Sequence, residues 1–142
     1  MKKIESIYVI GSLRNPAIPK FANYLRKFGF DVFDDWFAAG PRADWHWRNY
    51  EKGRGRNYAE ALKGYAATHV FGFDLSHLQR CDAAVMLMPA GKSGHLELAF
   101  MRGCQKPAYI LFDREPARFD VMTKFSSGVF FNKKDLIKEL KK

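Results

Sequence analysis

Cysteine is scarce in this chain of 142 residues, with Cys81 and Cys104 the only two. A disulfide scaffold is therefore excluded, and a chain of this length can bury enough surface to stand without one. Long apolar runs are missing too. The stretch from Ile7 to Ile10 is too short for a signal-peptide core, and nothing approaches the roughly 20 residues that span a bilayer. The expectation is a cytoplasmic protein with no membrane partner and with both cysteines serving as buried small hydrophobes. Acidic residues are the third shortage: 15 Asp+Glu stand against 24 Lys+Arg, a formal charge of +9. A field of this sign favours anionic partners such as nucleotides or nucleic acids. Histidines 46, 69, 77 and 95 show no metal-ligand spacing, so no metal is expected, and no cofactor is called for.

What is present is a hydrophobic fraction of 47% without repeats or low-complexity tracts, enough for one domain with a continuous core. Ile4 to Ile10 reads as a strand running into the turn formers Gly11 to Pro16. Phe21, Tyr24, Leu25 and Phe28 recur at helical spacing up to Gly29, and Phe30 to Asp34 follows as a short strand. A polar and aromatic connection from Asp35 to about Gly55 precedes a helical stripe of Tyr58, Ala61, Leu62, Tyr65 and Ala66. Asp74 occupies an N-cap position ahead of Leu75, Leu78 and Cys81. Ala83 to Met88 and Ala108 to Phe112 are unbroken apolar runs, as expected of parallel strands covered on both faces. Between them come Pro89 to Gly94 and a helix from His95 to Cys104. A weaker strand, Val129 to Phe131, and a helix from Lys133 capped by Asn132 close the chain.

This alternation predicts a single α/β domain, a doubly wound parallel sheet of about five strands in the flavodoxin-like order 2-1-3-4-5. In that order the first and third strands are neighbours and the connection reverses between them. The loops Gly11 to Pro16 and Pro89 to Gly94 then share one crevice, where ligands bind in such sheets.

Gly91-Lys92-Ser93 lacks the earlier glycine of a nucleoside triphosphatase P-loop, since Met86 stands there. It remains a glycine-rich turn at a helix N-terminus, suited to an anion, or an ordinary turn with no ligand. Glu97 falls in the first turn of the predicted helix, where the dipole favours its ionised form and where it could act as nucleophile or base. Acids in first turns also occur for purely local reasons. Between Arg42 and Lys63 six bases face three acids, and Trp45, Trp47 and Tyr50 lie among them. Cations interleaved with aromatics suit stacked bases and phosphates, or equally a subunit contact.

Three anchors in order resemble the nucleoside 2-deoxyribosyltransferase family and its nucleotide N-glycosidase relatives: Tyr8 with Gly11-Ser12-Leu13-Arg14; Asp74-Leu75 leading to Cys81-Asp82; and Ser93-Gly94-His95-Leu96-Glu97-Leu98-Ala99. The resemblance covers most of the chain, through Phe112. It implies that Glu97 attacks the anomeric carbon of a nucleoside or its 5′-monophosphate, that Tyr8 orients Glu97, and that Asp74 handles the proton of the base. It also implies transfer of the sugar to another base or to water, and a homo-oligomer. Gly91 stands where the transferases carry an aspartate six residues before the nucleophile, so proton delivery must differ. Gly11, Ser12 and Arg14 resemble the turn that grips a 5′-phosphate in the monophosphate hydrolases, and with Lys92, Ser93 and Gly94 they suggest a phosphate subsite. Trp45 and Trp47 would cover the base. Two other readings compete: a nucleotide sensor that keeps the crevice without catalysis, and a single-stranded nucleic-acid-binding module built on the basic aromatic segment.

Overall fold

In a computed structural model that describes residues 2–142, five parallel strands form one sheet in the order β2-β1-β3-β4-β5. The strands are β1 (Ser6–Ile10), β2 (Asp31–Phe33), β3 (Ala83–Leu87), β4 (Ala108–Leu111) and β5 (Gly128–Phe130). Helices α1 (Ile18–Arg26), α2 (Ala43–Lys52), α3 (Tyr58–Leu62), α4 (Tyr65–Arg80), α5 (Lys92–Gly103) and α6 (Lys133–Leu140) connect and cover them. The doubly wound, flavodoxin-like arrangement expected from the sequence is the one observed.

Strand alternation sorts the core into two layers. Ile7 and Val9 face one side of the sheet with Val85, Tyr109 and Leu111, beneath α1 and α6. Tyr8 and Ile10 face the other with Ala84, Met86, Ala108 and Ile110, beneath Leu78 of α4 and Leu98 and Met101 of α5. All four β1 residues from Ile7 to Ile10 are fully buried. Burying such side chains stabilises the fold by about 1.5–3 kcal/mol each. The same parity aims Tyr8 at α5. In register it lies between Phe33 of β2 and Ala84 of β3, and the small Ala84 leaves its ring room.

Helix boundaries depart from the sequence expectation in three places. Asp74 is not an N-cap but lies well inside α4, which begins nine residues earlier at Tyr65. The segment Tyr65 to Phe73 contains no proline and a single glycine, so the helix propagates straight through it. The break falls instead at Lys63 and Gly64, dividing the expected stripe from Tyr58 to Ala66 between α3, closed at its start by an Asn57–Glu60 capping box, and α4. The connection after Asp34 is ordered as a 3-10 turn (Asp35–Ala39) followed by α2, not a loop. Lastly, α5 begins at Lys92 rather than His95.

At the opposite end of the chain Asn132 caps α6 by accepting from the Asp135 amide at 2.9 Å, as expected. Cys81 is buried but Cys104 is exposed at the end of α5, correcting the expectation that both are core residues.

Candidate active site at the β1–β3 crevice

The two loops predicted to meet do leave the sheet side by side. Gly11, just past β1, is so close to Leu87 at the end of β3 that a Cβ there would lie 3.5 Å from the Leu87 carbonyl. Gly94, in the first turn of α5, lies against β1: an added Cβ would meet Ile10 at 3.0 Å and Ala90 at 3.2 Å. This close approach lowers α5 onto the sheet, and one turn further along Glu97 comes within reach of Tyr8. The Tyr8 hydroxyl donates to Glu97 Oε2 at 2.7 Å, a short charge-assisted contact between residues 89 positions apart.

Because α5 starts three residues earlier than predicted, Glu97 lies in its second turn, where the dipole has faded. Its ionisation is governed by burial instead. Desolvation pushes its carboxyl up to about 7, opposed by the Tyr8 hydrogen bond and reinforced by the nearby charge of Asp74. The expectation that the helix start holds Glu97 ionised is thereby overturned. Burial, with the Glu97 and Asp74 charges behind it, moves the Tyr8 hydroxyl far above its ordinary value, so Tyr8 stays a donor. Asp74, half-buried on α4, is raised by burial too. Asp74 thus shares a field with Tyr8 and Glu97, although it reached that place from mid-helix.

An aromatic wall stands next to this trio. Phe33 is 5.1 Å from the Tyr8 ring, stacks on His77 at 3.8 Å, and meets Phe73 edge-on at 5.6 Å. Arg80 donates to His77 Nδ1 at 2.8 Å, which leaves the proton of a neutral ring on Nε2. Burial, with the Arg80 charge, holds the His77 pKa below its ordinary value. Trp36 anchors the end of β2 by donating Nε1 to the Val9 carbonyl at 2.8 Å and packs against both core layers. Phe33 and Phe73 carry no site signal of their own in the sequence, and His77 enters there only as a histidine without metal-ligand spacing. The only available signal was the spacing of Phe73 and His77, one turn apart on the helix that carries Asp74.

Ser12 Oγ accepts from the Arg14 amide at 3.1 Å, shaping the turn and leaving the Arg14 side chain exposed. Lys92 and Ser93 are exposed at the start of α5, whose N-cap, Gly91, supplies no side-chain partner. Among the described residues, no hydrogen bond joins Arg14 to Lys92 or Ser93. Trp45 and Trp47 lie on different faces of α2: Trp45 is exposed beneath the Arg42 guanidinium, and Trp47 is half-buried against Tyr58. No described contact brings either to Glu97. A separate groove of about 560 Å³ runs past Met88, His95, Phe112, Phe119 and Phe131, and Glu97 does not line it. No group of three His, Cys, Asp or Glu side chains suited to a metal occurs among the described residues.

No protein-family profile matches the sequence, and no curated protein matches it. Solved structures do. A 2-deoxyribosyltransferase of Bacillus psychrosaccharolyticus superposes with a TM-score of 0.63 at 18% identity, covering 94% of this chain and 90% of its own. A CMP N-glycosidase of Clostridium botulinum gives 0.55 at 11% identity over 96% and 98%. A conserved protein of Enterococcus faecalis gives 0.60 at 14% over 97% and 98%. Over nearly its whole length, this chain has the fold that a 2-deoxyribosyltransferase and a CMP N-glycosidase share.

Proposed function

We propose that this protein is an enzyme that cleaves the N-glycosidic bond of a nucleoside or nucleoside 5′-monophosphate through a covalent ester on Glu97. The reading is carried by the Tyr8–Glu97 hydrogen bond at 2.7 Å, with Asp74 near enough for its charge to act on both groups. A Glu97 oxygen forms a bond to C1′ of the sugar as the bond from C1′ to the base nitrogen breaks. The electron pair leaves with the base, which takes a proton from Asp74. The adjacent carboxylate stabilises the oxocarbenium-like transition state and traps it as the ester. A second base or water then attacks C1′, its proton passing to the Asp74 carboxylate, and the bond from C1′ to Glu97 breaks to release the carboxylate. Tyr8 holds Glu97 in line throughout without losing its own proton.

Burial raises the Asp74 carboxyl above its ordinary value and the Glu97 carboxyl to about 7, and the reaction uses the form in which Glu97 is ionised and Asp74 carries a proton. This arrangement supplies an acid although Gly91 offers none. Gly11, Ser12 and Arg14 on the loop after β1, with Lys92, Ser93 and Gly94 in the first turn of α5, form the candidate subsite for a 5′-phosphate.

A homo-oligomer belongs to the same reading. The α4 segment from Tyr65 to Gln79 contains no Lys or Arg in a chain of net charge +9. It exposes Tyr65, Val70, Phe71 and Phe73. A charge-poor apolar face can meet its own copy without repulsion.

Intact-protein mass spectrometry after exposure to 2′-fluorinated nucleosides and 5′-monophosphates tests the proposal. A sugar adduct on Glu97, absent from Glu97→Gln, is the expected result. If a broad panel yields no adduct and no free base while nucleotides still raise the melting temperature, the protein is a sensor and not an enzyme.

A further inference from the structure

Glu51 is the one residue of α2 that is buried, and it is charged, with the Arg56 guanidinium bound to its Oε1 at 2.6 Å. A helix that hides so little apolar surface gains little from packing on its own domain. Its outward stripe has a consistent composition. Arg42, Trp45, His46, Asn49 and Tyr50 recur at helical spacing, and Arg54 follows one turn beyond. The Arg42 guanidinium lies over the Trp45 ring at 4.5 Å and that of Arg54 over Tyr50 at 3.6 Å. Each ring keeps about half its surface in solvent, 49% for Trp45 and 47% for Tyr50. The two lie five residues apart, or about 7.5 Å along the axis.

Charge on this face is unbalanced. Among the described residues none of Arg42, Arg48, Lys52 and Arg54 makes an ion pair, whereas Arg56 is taken by Glu51. The exposed acid of the helix is Asp44; Glu60 nearby is spent on the α3 capping box.

We propose that the outward face of α2 binds single-stranded nucleic acid, with the free guanidinium and ammonium groups on the phosphates and Trp45 and Tyr50 stacked on unpaired bases. Exposed rings with cations at their faces suit bases, and unbalanced cations suit the backbone between them. A second copy of this chain is a poor occupant, because a two-fold contact would set this basic face against itself. Duplex is disfavoured because its bases offer no free faces to stack. The surface is independent of the Glu97 chemistry and stands whether or not that proposal holds.

Fluorescence polarisation of a labelled single-stranded oligonucleotide, titrated between about 20 and 150 mM salt, provides the test. With four cations engaged, log affinity is expected to fall against log salt with a slope of about −3. Arg42→Ala should lower that slope by about 0.7. Trp45→Ala, an exposed position that leaves the fold intact, should weaken binding about 5- to 150-fold. Lys138→Ala, on α6, removes one exposed charge elsewhere and should change affinity less than about twofold if the contact is local. Glu97→Gln should bind like the parent. No binding at low salt overturns the proposal. So does binding that Trp45→Ala leaves unchanged and heparin matches, which is general polyanion attraction. A Trp45→Ala effect on oligomeric state alone assigns the face to a protein partner and overturns it as well.

Discussion

Tyr8 and Glu97, one in the middle of β1 and one on the helix that crosses the sheet, are joined by a 2.7 Å hydrogen bond that stabilises the ionised form of a carboxyl otherwise held up by burial. Removing the hydroxyl in Tyr8→Phe takes away the one influence that lowers the Glu97 pKa. Hydrogen bonds to charged groups contribute about 1.5–3 kcal/mol, so base release should slow about 10- to 100-fold. The pH at which the site loses its proton should move above about 7. A rate and a pH limb that both stay put would show that the hydroxyl does not act on Glu97.

Asp74→Asn acts in the opposite direction. The reaction needs Glu97 ionised and Asp74 protonated, so kcat/KM of the parent should rise as Glu97 ionises towards about 7 and fall where Asp74 loses its proton. In the variant the raising influence of Asp74 is gone, so Glu97 ionises at lower pH. The falling limb should vanish, leaving a slower activity that rises with Glu97 ionisation. Retention of the falling limb would remove Asp74 as the proton donor.

Stability should carry the mark of Glu97 as well. Its folded pKa of about 7 lies above the ordinary 4.5, so between those values the folded chain holds a proton that the unfolded chain has released. Its contribution is intact below pH 4.5 and declines as pH rises to about 7. The loss is on the order of 3 kcal/mol. Glu97→Gln should flatten this part of the curve and be the more stable protein at alkaline pH, as measured by urea melts at several pH values.

Asp82 has the reverse sign. Burial opposes its ionisation, but Lys2 and the Glu5 and Ser6 amides hold its carboxyl down at about 2. Its stabilisation is present above the ordinary 3.8 and is lost as pH falls through about 2. Asp82→Asn should cost about 2 kcal/mol at neutral pH, a difference that closes in acid. Because Lys2 is 81% exposed, its share should weaken with salt.

Gly94→Ala probes the approach of α5 to β1. The new methyl would sit 3.0 Å from Ile10, which is fully buried and has nowhere to go. Overpacking outweighs the better helix propensity of alanine and should destabilise by about 1 kcal/mol. Lifting α5 also draws Glu97 away from Tyr8, so activity should fall more than stability does. Unchanged melting temperature and turnover together would mean that the helix is not held this closely.

The sequence by itself determined the sheet. Two-sided apolar runs at Ile7 to Ile10, Ala83 to Met88 and Ala108 to Phe112, punctuated by glycine and polar turns, admit little besides a parallel α/β arrangement, and strand order then puts the Gly11 and Gly91 loops together. It also marked Glu97, Tyr8 and Asp74 through their resemblance to a family, although it misjudged how two of them are held. Local pattern could not show that α5 starts at Lys92 or that α4 runs unbroken through Asp74, because propensity there fits either boundary. Nor could it show the Phe33–His77 stack or the state of Glu97. Those depend on what the folded chain brings close and shuts away from water. Burial raised the Glu97 pKa against the pull of its hydrogen bond to Tyr8, and burial is a property no single residue carries in the sequence.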